Sequence, residues 1–230
     1  MADKKNVQDV DAGEAIIAKA KDFWGRNSKI IMIASLLVIL VGGGWYVYQN
    51  FFKSPKEAKA NEAIFKAEEY YRMDSINLAL NGVGQHSGFL KISQKFSGTK
   101  AGALANFYAG SCYIKLNENE KAITYLKKFS SSSKPVQARA YKLMADAYGD
   151  LGKNKEALEY YKKAGRHFEK DQPGSAESLF MAAYLAQRVL NDPKEATELY
   201  KEVKNKYPGT QQAFEADTYL AQMGVYSTDN

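Results

Sequence analysis

From Ile30 to Phe52 no side chain is charged at neutral pH, and the stretch opens Ile30-Ile31-Met32-Ile33-Ala34-Ser35-Leu36-Leu37-Val38-Ile39-Leu40-Val41. Lys29 and Lys53 bracket it. Coiled as an α-helix, residues 30–52 cover about 35 Å, more than the ~30 Å of a bilayer's hydrocarbon core. The pattern therefore predicts a transmembrane helix over 30–52. Phe23 and Trp24 precede it, and Trp45, Tyr46, Tyr48, Phe51 and Phe52 follow, as rings do at both membrane interfaces. A cleaved signal peptide has an apolar core of about 7–15 residues followed by small residues, whereas here the run is longer and bulky aromatics follow. The single cysteine, Cys112, lies too far on to accept an anchoring lipid.

Upstream, Ile16, Ile17, Ala20, Phe23 and Trp24 recur at helical spacing among charged residues. Residues 1–29 are thus expected to form a tail with a short amphipathic helix that breaks at Asn27-Ser28. Within the span, Gly42, Gly43 and Gly44 are the candidate contact for another membrane helix, since glycine permits close approach; a small residue four positions away is lacking, so self-pairing by that motif is not expected. After Ser54-Pro55, the positions Ala58, Ala60, Ala63, Ile64, Ala67, Tyr70 and Tyr71 predict a long helix separated from the anchor by a break at the proline. The glycine-rich segment 81–88 reads as a loop. It is no phosphate loop, because no Gly-Lys-Ser/Thr follows and no strand precedes it.

Beyond about residue 89 the pattern repeats. Tyr113 aligns with Tyr148, Ala122 with Ala157 and Leu126 with Tyr161; a third unit carries Gln187, Ala196 and Tyr200. Before each alanine stands a polar turn: 117–121, 152–156 and 191–195. Lys95-Phe96-Ser97-Gly98-Thr99 is echoed by Lys206-Tyr207-Pro208-Gly209-Thr210. Such spacing predicts pairs of antiparallel helices over 103–136, 138–171 and 177–210, closed by a capping helix over 211–225. The predicted fold class is all-α: an N-terminal transmembrane helix followed, over 53–230, by an α-solenoid.

Chemistry-bearing residues are sparse. Two histidines, His86 and His167, have no ligand partners at metal spacing, and one cysteine excludes an internal disulfide. No catalytic, cofactor or metal site is expected. The net charge of +6 is spread along the chain without a basic-aromatic stripe, which argues against nucleic acid. Lys/Arg counts beside the span are nearly tied, and Lys4 and Lys5 tilt the tail toward the cytoplasm, leaving the helical domain outside. The first helices of successive pairs should line a concave surface carrying Phe107, Ser111, Lys115, Lys142, Asp146, Met181, Leu185 and Arg188. That surface takes protein partners unless the chain's own preceding helix fills it.

The repeating unit resembles the tetratricopeptide repeat, carried here by Tyr148, Ala157, Tyr161 and Ala164, by Tyr113 and Ala122, and by Ala196, Tyr200 and Pro208. Phe107, Leu143 and Ala182 stand where repeats that clamp a chaperone's terminal carboxylate carry Lys, Asn and Arg. The order of parts, with the junction Trp24-Gly25-Arg26-Asn27-Ser28-Lys29 and a span ending Gly44-Trp45, resembles the YfgM-type ancillary subunits of the bacterial Sec translocon. That resemblance implies a scaffold anchored in the bacterial inner membrane, with a periplasmic repeat domain whose partners are a SecYEG-like translocon, periplasmic chaperones or exported polypeptides. The alternative is a scaffold of another envelope assembly, secretion or division machine.

Overall fold

A computed structural model describes residues 5–225, with side chains from residue 15; Lys4, which bears on the orientation, lies outside them. Two units divide at Met1–Pro55 and Lys56–Asn230. In the first, helix α1 runs over Lys5–Val47. It does not break at Asn27-Ser28 as expected. Asn27 Nδ2 donates to the Phe23 carbonyl at 3.0 Å and Arg26 pairs with Asp22 at 2.9 Å, so these polar residues bond along the helix instead of ending it. The helical stretch that contains the span is long and apolar enough to cross a membrane, and its most apolar window has none of its residues buried.

The expected break at the proline is also replaced. A π-helical segment occupies Tyr48–Lys53, and Ser54 N–H donates to the Gln49 carbonyl five residues back. Pro55 lacks an N–H, so the ladder has to change register near it, and the wider turn just upstream absorbs that change. Helix α2 then begins at Ser54 and runs to Arg72.

The second unit is built of helical pairs. After α2 come α3 (Ile76–Asn81), α4 (Phe89–Lys95), α5 (Lys100–Lys115), α6 (Asn119–Leu126), α7 (Lys134–Asp150), α8 (Asn154–His167), α9 (Gln172–Arg188), α10 (Pro193–Lys206) and α11 (Gln211–Gln222). The segment expected as a loop holds a two-residue antiparallel ribbon, β1 (Gly82–Val83) with β2 (His86–Ser87). Gly82 has φ +83°, and a Cβ there would fall 2.3 Å from the His86 carbonyl oxygen, so only glycine fits.

One turn geometry recurs. The chain leaves its first helices through a left-handed residue: Asp74 (φ 55°), Asn117 (57°), Gly152 (68°) and Asn191 (51°). Asn, Asp and Gly tolerate this region best. In three of these turns the following N–H closes back on a tyrosine carbonyl: Ser75 to Tyr70 at 2.9 Å, Glu118 to Tyr113 at 2.8 Å and Lys153 to Tyr148 at 2.9 Å. This bond satisfies a carbonyl the helix end would leave orphaned. Nine positions beyond Tyr70, Tyr113, Tyr148 and Gln187 stand Ala79, Ala122, Ala157 and Ala196, each 0% exposed. The repeat frame thus begins at α2 and α3, earlier than the sequence pattern suggests.

The echoed Gly-Thr turns share their bonding as well. Thr99 Oγ1 donates to the Phe96 carbonyl (2.7 Å) and accepts from Gly102 N–H; Thr210 Oγ1 donates to the Tyr207 carbonyl (2.8 Å) and accepts from Ala213 N–H. Both threonines cap the helix that follows. Glu57, near the start of α2, adds bonds from the N–H groups of Lys100 and Ala101 at 2.9 and 3.1 Å, while Lys56 Nζ donates to the Ser97 carbonyl at 2.7 Å. The start of α2 is therefore tied to the turn between α4 and α5.

Two apolar clusters form the interior, one running from Ala60 to Ala122 and one from Phe107 to Leu220. Leu104, Tyr108 and Ile114 of α5 pack against both, so α5 joins them. Gly165 of α8 lets α9 approach: a Cβ there would meet Leu179 Cγ at 2.6 Å and the Ser175 carbonyl at 2.9 Å. At Gly149 the nearest atom would be 4.0 Å away. Chemical denaturation of the full chain should show the same substitution acting with opposite sign: Gly165→Ala destabilises by about 1–3 kcal/mol through overpacking, while Gly149→Ala is neutral or stabilises by up to roughly 1 kcal/mol through helix propensity.

Candidate functional site

The first helices of the pairs open onto a groove of about 870 Å³. Leu104, Phe107 and Tyr108 from α5 and Val136, Arg139, Lys142, Leu143 and Asp146 from α7 line it; Tyr71 and Arg72 at the end of α2 close one side, and Phe168, Asp171, Ser175 and Ser178 the other. On α7, Val136, Arg139 and Leu143 follow helical spacing and so share one face. Its floor is aromatic. Tyr108 stacks on Phe89 (centroids 4.9 Å, 11°) and meets Tyr71 edge-on at 5.1 Å and Phe107 at 5.6 Å; Phe107 in turn touches Phe129 at 5.3 Å. Interlocked rings of this kind resist rotation and make a fixed platform.

The α7 stripe carries an internally satisfied charge network. Lys142 Nζ lies 3.4 Å from both Asp146 and Glu177, and Asp146 Oδ1 accepts from the Tyr161 hydroxyl at 2.6 Å. Burial, reinforced by that bond to a carboxylate, pushes the Tyr161 phenol well above its ordinary range. A second, smaller depression of about 480 Å³ lies beyond, lined by Asp146, Asp150, Tyr161, Met181, Tyr184, Leu185 and Val189.

The eight candidate residues are therefore not one surface. Phe107, Lys142 and Asp146 line the main groove, and Asp146 also borders the depression that holds Met181 and Leu185. Ser111 is 6% exposed and lines neither. Lys115 turns to the end of α2 and the turn after it, lying 5.2 Å from the Tyr71 ring centroid and pairing with Asp74 at 2.5 Å, and Arg188 sits over the Tyr219 ring at 5.9 Å on α11. Phe107 is only 7% exposed and belongs to the core as much as to the groove. Gly42, Gly43 and Gly44 are exposed on α1 with no atom within 4 Å of an added Cβ.

Sequence reasoning missed Tyr71, Arg72, Leu104, Val136, Arg139 and Phe168, and placed Leu143 on this surface only by comparison with clamp-type repeats. The α7 residues were readable from their spacing beside Lys142 and Asp146. Tyr71 and Arg72 follow from the frame Tyr70, Asp74, Ala79, which matches Tyr113, Asn117, Ala122 and Tyr148, Gly152, Ala157. The end of α2 borders the groove and does not fill it.

Among the described residues no group of three or more His, Cys, Asp or Glu is placed to hold a metal ion. Cys112 is fully buried, and burial pushes its thiol up to about 12. At neutral pH it is protonated and inert.

The tetratricopeptide repeat family matches residues 104–132 and 177–210 of this chain. The fold is a TPR-like α-solenoid. Two crystal structures of nearly identical TPR-like repeats from a Podosopora anserina putative kinesin light chain, one of them a single-residue variant, superpose with a TM-score of 0.51 at 15% identity, covering 72% of this chain and 85% of theirs. At that identity the likeness concerns the fold alone. No curated protein matches this chain in sequence. Tetratricopeptide repeats imply a scaffold for protein–protein interaction. The two matched segments hold α5 with α6 and α9 with α10; the pair α7 and α8 between them has the same turn and the same buried alanine.

The buried thiol gives a pH test. Unfolded, the thiol ionises above about pH 9; folded, it holds its proton to about 12. The folded state therefore binds more protons across that window, and stability falls as pH rises, by about 1.4 kcal/mol per pH unit for this group. The buried tyrosines Tyr161 and Tyr200, raised chiefly by burial, add to the fall above about pH 10. Denaturation midpoints should stay flat from pH 7 to 9 and drop beyond, and Cys112→Ala should lessen the slope between pH 9 and 10.

Proposed function

We propose that this chain is a membrane-anchored scaffold of the bacterial inner membrane, with its repeat domain on the outer face, and that it associates with a Sec-type translocon to aid exported polypeptides. The observation that carries the reading is the pairing, in one chain, of an open groove on the first helices with an apolar helix none of whose most hydrophobic window is buried. The junction Trp24 to Lys29 and the Gly44-Trp45 end of the span support the translocon association through the resemblance described above. The span over residues 30–52, the repeat domain from 53 onward and the three glycines as a face for another membrane helix are parts of the same proposal.

The groove is the surface that would receive those polypeptides. Leu143, half-buried in the groove, is the cleanest probe there, because a charge at the core residue Phe107 would disturb folding before binding.

Crosslinking of tagged chain in native membranes should recover translocon subunits and nascent exported protein, and Leu143→Glu should cut recovery of the exported protein severalfold with helicity unchanged. Replacing residues 30–52 by a leucine-rich span should lose the translocon subunits alone. Recovery of a different envelope assembly, with no translocon subunit under any condition, would transfer the scaffold to that machine. Protease added to spheroplasts should remove the repeat domain; complete protection there would invert the orientation.

A further inference from the structure

The charged groups around the main groove fall into two classes. Lys142 is engaged by Asp146 and Glu177, Asp146 by Tyr161, and Asp171 by the N-terminus of α9, where it accepts from Gly174 N–H at 3.2 Å. Arg72 and Arg139, in contrast, have no carboxylate within 4.0 Å among the described residues. One comes from the end of α2 and the other from α7, yet both line the groove beside Tyr108; burial, then Glu68 and Tyr71, raise the Tyr108 phenol, and the two guanidiniums oppose that rise. The groove thus offers, beside a platform of fixed rings, two guanidiniums without an ion-pair partner within 4.0 Å among the described residues, although Arg72 also acts at longer range on Glu69. Its own acids are engaged by internal partners.

We propose that the occupant of this groove is an extended polypeptide segment in which acidic side chains alternate with bulky apolar ones, the acids reaching Arg72 and Arg139 and the apolar groups resting on Tyr108, Leu104 and Leu143. This rests on the reading of the groove as the partner-binding surface and names the chemistry of its ligand. Charge complementarity carries it. A guanidinium presents a planar fork that suits carboxylate, and bonds between ionised groups are stronger than neutral ones. A basic segment would meet the two arginines while the acids that line the groove, Asp146 and Asp171, are held by internal partners, leaving only Glu68 beside Tyr108 to attract it. A wholly apolar segment would leave them unpaired beside it.

The test uses the full chain in nanodiscs of zwitterionic lipid and three fluorescein-labelled synthetic peptides of one design, apolar residues alternating with Glu, with Gln or with Lys. Anisotropy should show the Glu peptide binding about tenfold more tightly than the Gln peptide, with the Lys peptide weakest and the differences shrinking as salt is raised. In Arg72→Gln/Arg139→Gln the Glu preference should vanish while the Gln peptide binds as before, whereas Lys91→Gln/Lys95→Gln, away from the groove, should retain it. Equal binding of Glu and Gln peptides that Leu143→Glu abolishes would overturn this inference and leave the groove reading standing. Failure of every peptide to bind would overturn both. So would self-association of the chain through the groove that excludes the peptides, as sedimentation would report.

Discussion

The fold depends on how closely each second helix can lie against its first. Ala79, Ala122, Ala157 and Ala196 are fully buried at the same place in successive pairs, where the side chain is no more than a methyl group. A larger side chain there would force the pair apart and carry the next helix with it, because each element packs on its neighbour in a solenoid. The left-handed residues Asp74, Asn117, Gly152 and Asn191 set the reversal that brings those alanines inward. Aromatic rings then fill what the small residues leave open: Tyr113 lies on Tyr125, Tyr148 on Tyr160, and Tyr200 on Tyr219, with centroids 5.3–5.5 Å apart.

Outside the core, ion pairs join second helices across the pairs. Lys162 reaches Glu195 at 2.7 Å, and Arg166 holds Glu202 through two nitrogens, at 3.3 and 2.6 Å, between α8 and α10. Each such surface pair contributes about 0–1 kcal/mol, so they fix register more than they stabilise. With the second helices so engaged, the first helices are left to line the groove. There Lys142 and Asp146 pair along one helix, while Arg72 and Arg139 line the groove with no carboxylate within 4.0 Å among the described residues.

The apolar helix and the repeats were legible for different reasons. An uncharged run with aromatic ends marks a helix long and apolar enough to cross a membrane wherever it lies, because that criterion is one of length and composition. The repeats showed through their period, and the third unit was found although Gln187 replaces tyrosine; the Tyr200 hydroxyl donates to Gln187 Oε1 at 3.1 Å, which keeps that position bonded. The unit at α2 and α3 was hidden because α4 and the β-ribbon interrupt the spacing after Ala79. The breaks read at Asn27-Ser28 and Pro55 failed because local propensity yields where a helix can bond its polar groups along its own length or absorb a register change in one wide turn.

Sequence by itself determined the all-α class, the long apolar helix, the paired helices and the small residues between them, since each is a matter of period or composition along one chain. Only the tertiary structure decided which side chains share a surface. Lys115 and Arg188 sit on stripes that look outward in sequence but are claimed by Tyr71 and Tyr219 of other helices. Arg72 and Arg139, far apart in the chain, line one groove with Tyr108 because the end of α2 and α7 both lie beside α5. Whether a charged residue is engaged or free is set by neighbours from other elements, and no periodicity within one element reports them.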